Sequence, residues 1–170
     1  LMGIELVFGS ILEVEADVMV LSAHPTLIAG GGISGVIHKA AGPGLEQMAK
    51  PLGPIKSGSA VMTEGFDLSV NKVIHAVAPR YFDGTIGEIE KLTSTYQSAL
   101  GLNVKLSSNQ TIVFPAIGVG IYRWPSAIAS EIAVQQLLES PYSRTIVAVT
   151  DTVNYKAYEA ALKAFSCKAS

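Results

Sequence analysis

The chain has 170 residues, 49% of them hydrophobic and only 15% charged, with a formal net charge of −2. That length suits one domain over residues 1–170 with enough chain to bury a core, and the composition excludes disorder. The charge gives no basic surface for a nucleic acid and no apolar run approaches the ~20 residues that span a membrane, so neither partner is expected.

Taken in chain order, the opening LMGIELVFGS has no basic segment ahead of its apolar residues, so no signal peptide is expected. Leu1 reads as an extra residue ahead of Met2. Residues 4–8 (IELVF) read as a strand. Residues 17–22 (DVMVLS) are apolar nearly throughout, which predicts a strand buried on both faces. Residues 35–42 (GVIHKAAG) start a helix that Gly42-Pro43 stops, and a short helix follows over 45–49. Residues 59–64 and 72–78 are predicted strands, with a turn around Gly65, Phe66 and Asp67. The clearest helix runs from Gly87 to about Leu102, because Ile86, Ile89, Leu92, Tyr96, Ala99 and Leu100 recur at helical spacing. Residues 111–116 (TIVFPA) form a buried strand ended by Pro115, and Pro125 opens a helix towards Leu138. Residues 145–150 are the last strand. Asp151 and Asn154 cap a final helix whose apolar face is Tyr155, Tyr158, Leu162 and Phe165.

Strands alternating with helices predict an α/β fold, a three-layer α/β/α sandwich around a largely parallel sheet. In such sheets ligands bind beyond the carboxyl ends of strands; the loops after Ser22, Phe114 and Thr150 qualify. The single cysteine, Cys167, excludes a disulfide framework or a cysteine-based zinc site within one chain and fits a reducing, cytoplasmic setting. It lies in an expected tail, SCKAS, with no adjacent base, and is not expected to act as a nucleophile.

Gly30, Gly32 and Gly35 spell the G-x-G-x-x-G of dinucleotide-binding folds, but the context argues against that fold. Its first glycine follows its strand almost directly, whereas AHPTLIA separates Ser22 from Gly30. The acidic residue expected about 20 residues on is missing from AKPLGPIKSG. No Gly-Lys-Ser/Thr follows, so the Walker pattern fails too. The physical logic still points to an anion. Glycines let backbone N–H groups approach a phosphate, and a following helix N-terminus adds partial positive charge. A second loop, PAIGVGIYRW, sets Gly118 and Gly120 between a buried strand and a helix. Two such loops can clasp a diphosphate, with Tyr122 as an aromatic wall. The alternative is that the glycines only make tight turns; two loops at neighbouring strand ends favour the ligand.

Three blocks, ADVMVLSAHPTLIAGGGISGVIHKAAG, GSAVMTEGFDLSVNKVIHAVAP and VFPAIGVGIYRWP, resemble the macro domain family in order and spacing, and the resemblance covers about residues 4–165. It implies a mixed six-stranded sheet between helices and a cleft for ADP-ribose or a related nucleotide, with no cofactor. Some members bind ADP-ribose only. Others hydrolyse ADP-ribosyl esters on acidic side chains or O-acetyl-ADP-ribose, so an ADP-ribosylated protein is a candidate partner. By resemblance, Gly30, Gly31, Gly32, Ile33, Ser34 and Gly35 form the first phosphate loop. Ile117, Gly118, Val119, Gly120, Ile121 and Tyr122 form the second, with Tyr122 against the distal ribose. Ile11 offers its backbone to the adenine.

The departures are informative. The family's Asn-Ala-Ala-Asn is here Leu21-Ser22-Ala23-His24, leaving Ala23 and His24 as ligand candidates. Ser34 stands where hydrolytic members carry an acid. Ser10 stands where a carboxylate takes the adenine amino group. Losing that carboxylate removes a charge-assisted hydrogen bond of roughly 1.5–3 kcal/mol, which Ser10 replaces only in part, so weaker adenine discrimination is expected. Thr150 occupies the position nearest an adenine-stacking aromatic, which leaves Tyr155, with Asn154 beside it, on the adenine side. His24 is expected to contact a ribose hydroxyl first, to face solvent second and to act as a general base third. His24 and Ser34 are the only catalytic candidates.

His38 and His75 read as core histidines. Three dispersed histidines without a cysteine or carboxylate cluster make no metal site. Arg123 reads as solvated and Trp124 as partly buried packing. Three functions follow: an ADP-ribose-binding module, an ADP-ribosyl or O-acetyl-ADP-ribose hydrolase, and a degenerate domain with another ligand. The retained glycines favour the first over the third, and the missing Asn and acid favour it over the second.

Overall fold

A computed structural model describes residues 4–102 and 109–169, the last four by backbone alone. Strand β2 (Val18–Ser22) sends Val18 and Val20 into one core and Met19 and Leu21 into the other. Strand β5 (Thr111–Phe114) divides Ile112 and Phe114 from Val113 in the same way, and β6 (Arg144–Val149) divides Val147 and Val149 from Ile146 and Ala148. Side chains alternate across a strand, so strands apolar throughout must be covered on both faces. With β1 (Ile4–Phe8), β3 (Ala60–Glu64) and β4 (Lys72–Ala76) they form a six-stranded sheet of order β1-β6-β5-β2-β4-β3. Every neighbouring pair is parallel except β3 with β4.

Helices α1 (Gly32–Ala41) and α2 (Pro43–Ala49) cover one face through Ile37, Ala41, Leu45 and Ala49. Helices α3 (Glu88–Gly101), α4 (Ser126–Leu137) and α5 (Thr152–Ala169) cover the other around Tyr96, Phe114 and Tyr158. This is the three-layer sandwich with a mixed sheet. Because β2 and β5 are parallel neighbours, the loops that follow them leave at the same end of the sheet.

Boundaries differ locally. The fifth strand is the exception, stopping before Pro115 as expected, because that ring has no N–H for a ladder. The fourth ends at Ala76, and β6 ends at Val149, leaving Thr150 past the strand. Helix α1 begins inside the glycine run, and α2 begins at Pro43, whose fixed φ suits a first helical position. Ile86 is a correction: it precedes Gly87, whose φ of 87° marks the boundary of α3, and its side chain is exposed rather than on the helix's buried face. Helix α5 runs to Ala169, so Cys167 lies on a helix and not in a tail; its side chain, like Leu1, is outside the described residues. Asp151 caps α5 by accepting from the Asn154 N–H at 2.8 Å. That N–H and the Asn154 side chain hold the Asp151 carboxyl below its ordinary value. Among the described residues, no helix is long and apolar enough to cross a membrane.

Candidate functional site

After β2 the chain passes Ala23 and His24 and returns to α1 through Ala29, Gly30 and Gly31. Ala29 is held on both sides. Its N–H donates to Glu46 Oε2 of α2 at 2.6 Å, and its carbonyl accepts from Ser34 Oγ at 2.7 Å. A Cβ on Gly35 would lie 2.8 Å from the Gly30 carbonyl oxygen, so only glycine lets the loop fold back onto the helix. Gly31, the N-cap of α1, provides no side-chain cap. The first N–H groups of the helix, with its dipole, therefore face whatever enters.

The second loop leaves β5 at Pro115. Gly118 has φ +93°, and a Cβ there would meet the Trp124 indole at 2.7 Å. Trp124 is buried, and its Nε1–H donates to the Pro79 carbonyl at 2.9 Å, anchoring the loop to the β4–α3 connection. The Arg123 N–H donates to Gly120 O and the Trp124 N–H to Gly118 O, both at 3.1 Å, closing the turn. Arg123 is exposed and has φ +62°, a left-handed conformation that costs a non-glycine residue about 1–2 kcal/mol.

The two loops face each other across a cleft of about 270 Å³. Ala23, His24, Gly30, Gly31, Gly32, Ile33 and Ser34 line it with Gly118, Gly120, Ile121 and Tyr122, so these expected residues come together. Ser10, Ile11, Gly35, Ile117, Val119, Thr150, Asn154 and Tyr155 are not in the lining. Ile117 is buried in the core under α3, α4 and α5, and Val119 packs on the same core; Ile11 belongs to the opposite one. Gly35 borders a shallow groove behind the loop. Ser10 Oγ accepts from the Leu12 N–H at 3.2 Å, capping a 3-10 turn (Ile11–Glu13). Thr150 is exposed. Tyr155 packs edge-on against Phe8 with ring centroids 5.7 Å apart. The Asn154 amide donates to Asp151 and accepts from Ser126 Oγ, each at 2.8 Å, which ties α5 to α4. The loop after β6 thus adds nothing to the lining. Sequence reasoning missed Ser22, Ala29 and Ala116, which complete the lining, and Glu46, which braces it from α2. No spacing rule links residues 29 and 46.

No lining residue is a carboxylate, lysine or arginine, so an anion here meets peptide N–H groups and a helix dipole rather than a counter-charge. His24 Nδ1 accepts from the Thr26 N–H at 3.1 Å and lies 2.7 Å from Thr26 Oγ1. An accepting Nδ1 assigns the proton of the neutral ring to Nε2. His24 therefore presents an N–H donor, which suits a ribose oxygen and disfavours the general-base role. The Ser34 hydroxyl donates to the Ala29 carbonyl and the residue is buried. Weighed from the sequence as a catalytic group, Ser34 is instead a brace of the first loop. Tyr122 carries the Arg80 guanidinium 5.4 Å from its ring centroid, a cation–π contact.

His38 of α1 and His75 of β4 meet with ring centroids 6.1 Å apart and their planes tilted by 57°. His75 Nε2 is 2.9 Å from Thr63 Oγ1, while His75 Nδ1 and both His38 ring nitrogens are buried without a hydrogen-bond partner among the described residues. Burial, reinforced by His38, pushes the His75 imidazole down to about 4. Burial also lowers His38, opposed by the Glu46 carboxylate. Among the described residues, no group of three or more His, Cys, Asp or Glu side chains gathers as a metal would require.

Comparison with known proteins agrees with this architecture. The family model described as Macro domain matches residues 20–133. A macro domain-containing protein of Listeria monocytogenes (serotype 4b, strain F2365) is 38% identical over 170 residues, covering 92% of this chain and 95% of its own. An O-acetyl-ADP-ribose deacetylase of Enterobacter sp. (strain 638) is 41% identical over 140 residues, covering 80% of this chain and 77% of its own. Among solved structures, a glycine-to-valine mutant of the Oceanobacillus iheyensis macrodomain with ADPR matches with a TM-score of 0.88 and 30% identity, over 96% of this chain and 93% of that one. Sequence, sheet and facing glycine loops agree: the chain belongs to the macro domain family.

Proposed function

We propose that the cleft binds ADP-ribose, with the diphosphate between residues 30–34 and 118–121 and the distal ribose between His24 and Tyr122. One observation carries this reading: two main-chain loops from neighbouring parallel strands converge on a single space that has no carboxylate in its lining. Such a lining favours a diphosphate, because N–H groups and a helix dipole meet its charge. The ADPR complex of the Oceanobacillus macrodomain supports the same ligand. In this reading the whole chain serves the site as one domain. The adenine lies towards Ser10 and Ile11, with Thr150, Asn154 and Tyr155 on its far flank. A reducing, cytoplasmic setting fits the single cysteine.

Calorimetric titration tests the proposal. ADP-ribose is expected to saturate one site, and ADP to bind more weakly because it lacks the distal ribose. With Ser10 in place of a carboxylate, exchanging adenine for guanine should cost no more than about tenfold. Absence of binding at millimolar ADP-ribose would overturn it.

A second reading is hydrolysis of O-acetyl-ADP-ribose, favoured by the name of the Enterobacter relative. The lining offers it no carboxylate, and His24 Nδ1 is already engaged. Unchanged O-acetyl-ADP-ribose after incubation supports binding alone; release of acetate supports the hydrolase.

A further inference from the structure

Tyr122 lines the cleft, and its half-buried ring packs against the core under α3, α4 and α5. Among the described residues, no hydrogen bond reaches its hydroxyl. The group that lies over its ring is Arg80, whose guanidinium carbon is 5.4 Å from the ring centroid. Arg80 is exposed and is not itself in the lining.

The neighbours of Arg80 put it there. On one side the Pro79 carbonyl accepts from Trp124 Nε1–H, and on the other the Tyr81 N–H donates to the Tyr122 carbonyl, each at 2.9 Å. The Tyr81 ring also packs on Trp124, with centroids 5.0 Å apart. Residues 79 and 81 are thus both fastened to the second glycine loop, which holds the backbone of Arg80 beside Tyr122. Further along, Glu88 shapes the connection from within. It is buried and accepts from the N–H groups of Phe82 (2.8 Å), Asp83 (3.1 Å) and Ile86 (2.9 Å). Asp83 Oδ1 accepts from the Thr85 N–H at 2.9 Å. Among the described residues Arg80 forms no ion pair, yet the charges of Asp83 and Glu88 belong to the same connection and oppose its field at longer range. What is particular to Arg80 is its short-range contact with the Tyr122 ring.

We propose that Arg80 is a positioning residue: it holds the Tyr122 ring against the distal ribose and so sets the preference of the cleft for ADP-ribose over ADP. This rests on the ADP-ribose reading and adds the residue behind its distal selectivity. A guanidinium over an aromatic face is attracted to it. The ring is then restrained before a ligand arrives, and less side-chain freedom is lost on binding. The gain reaches only ligands that extend to the ring, and ADP ends short of it. An arginine that merely attracted the diphosphate would help both ligands alike and lose its effect in salt. One that touched the ribose directly would act without Tyr122.

Calorimetric titration of ADP-ribose and ADP into the unaltered chain and its variants separates these roles. Arg80→Gln should weaken ADP-ribose roughly threefold and leave ADP within a factor of about 1.5. Arg80→Lys keeps a cation and should recover part of the loss. In a Tyr122→Leu background, Arg80→Gln should change nothing further, as a double-mutant cycle requires of a coupled pair. The position is exposed, so the variants should fold, with circular dichroism as the check. In the free chain, NMR signals of the Tyr122 ring protons should shift on Arg80→Gln. Equal loss for the two ligands, no loss for ADP-ribose, or the same loss with lysine as with glutamine overturns the proposal. So does an effect that persists in Tyr122→Leu, or ring signals that stay in place. Failure of ADP-ribose to bind the unaltered chain overturns the nucleotide reading instead, and is seen before any variant is compared.

Discussion

Glu46 reaches the first glycine loop from α2 and takes the Ala29 N–H at 2.6 Å. With Ser34 holding the carbonyl of the same residue, the start of the loop is fixed before any ligand arrives, which lowers the ordering cost of binding. Glu46→Gln keeps an acceptor for that N–H and removes a negative charge from behind an anion site, so ADP-ribose affinity should stay within about twofold or improve. Glu46→Leu leaves the N–H unpaired and should weaken binding about tenfold, roughly 1.4 kcal/mol, while the chain stays folded by circular dichroism. Equal affinities for the two variants would refute the brace. At this scale the sequence was only partly legible. Gly35 could be read as part of a phosphate loop, but its requirement comes from contact with the Gly30 carbonyl. Ser34 could be placed at the site, but its hydroxyl partner could not.

Helix α1 packs on β4 through two histidines that carry an acid liability. The unfolded imidazole of His75 binds a proton as pH falls through 6.5, whereas the folded one, buried beside His38, does so only near 4. The unfolded state therefore gains protons across that window, and the fold should lose roughly 3 kcal/mol from His75 between pH 7 and 4. His38 shifts in the same direction and adds to the loss. Glu88 contributes below this window. Burial raises its carboxyl, but backbone N–H groups outweigh burial and bring it down to about 2, so its contribution starts to fall below 4.5 as the unfolded carboxyl takes up protons, and is lost through pH 2. Urea unfolding at pH 7 and 5 should show the histidine loss, and His75→Gln should flatten the profile. Equal stability at the two pH values in the unaltered chain would contradict it. The strands were legible because alternation of large apolar residues needs two covered faces. Ile86 misled because helical spacing continues through Gly87, while the backbone turns there with φ 87°.

Across the whole molecule, strand order does what no local pattern announces. The order β1-β6-β5-β2-β4-β3 seats β5 beside β2, so two loops far apart in the chain share one mouth. Alternation of strands and helices implied a parallel sheet, and the family resemblance supplied the cleft, but neither could show Tyr81 meeting Tyr122 or the loop after β6 standing aside. The central claim is that main-chain N–H groups of both loops hold one diphosphate. Amide NMR with ADP-ribose and with adenosine tests it most directly. ADP-ribose should move the Gly30, Gly31, Gly32, Gly118 and Gly120 signals together on one binding curve, and adenosine should leave them in place. Movement of one loop without the other, or the same movement with adenosine, would contradict it.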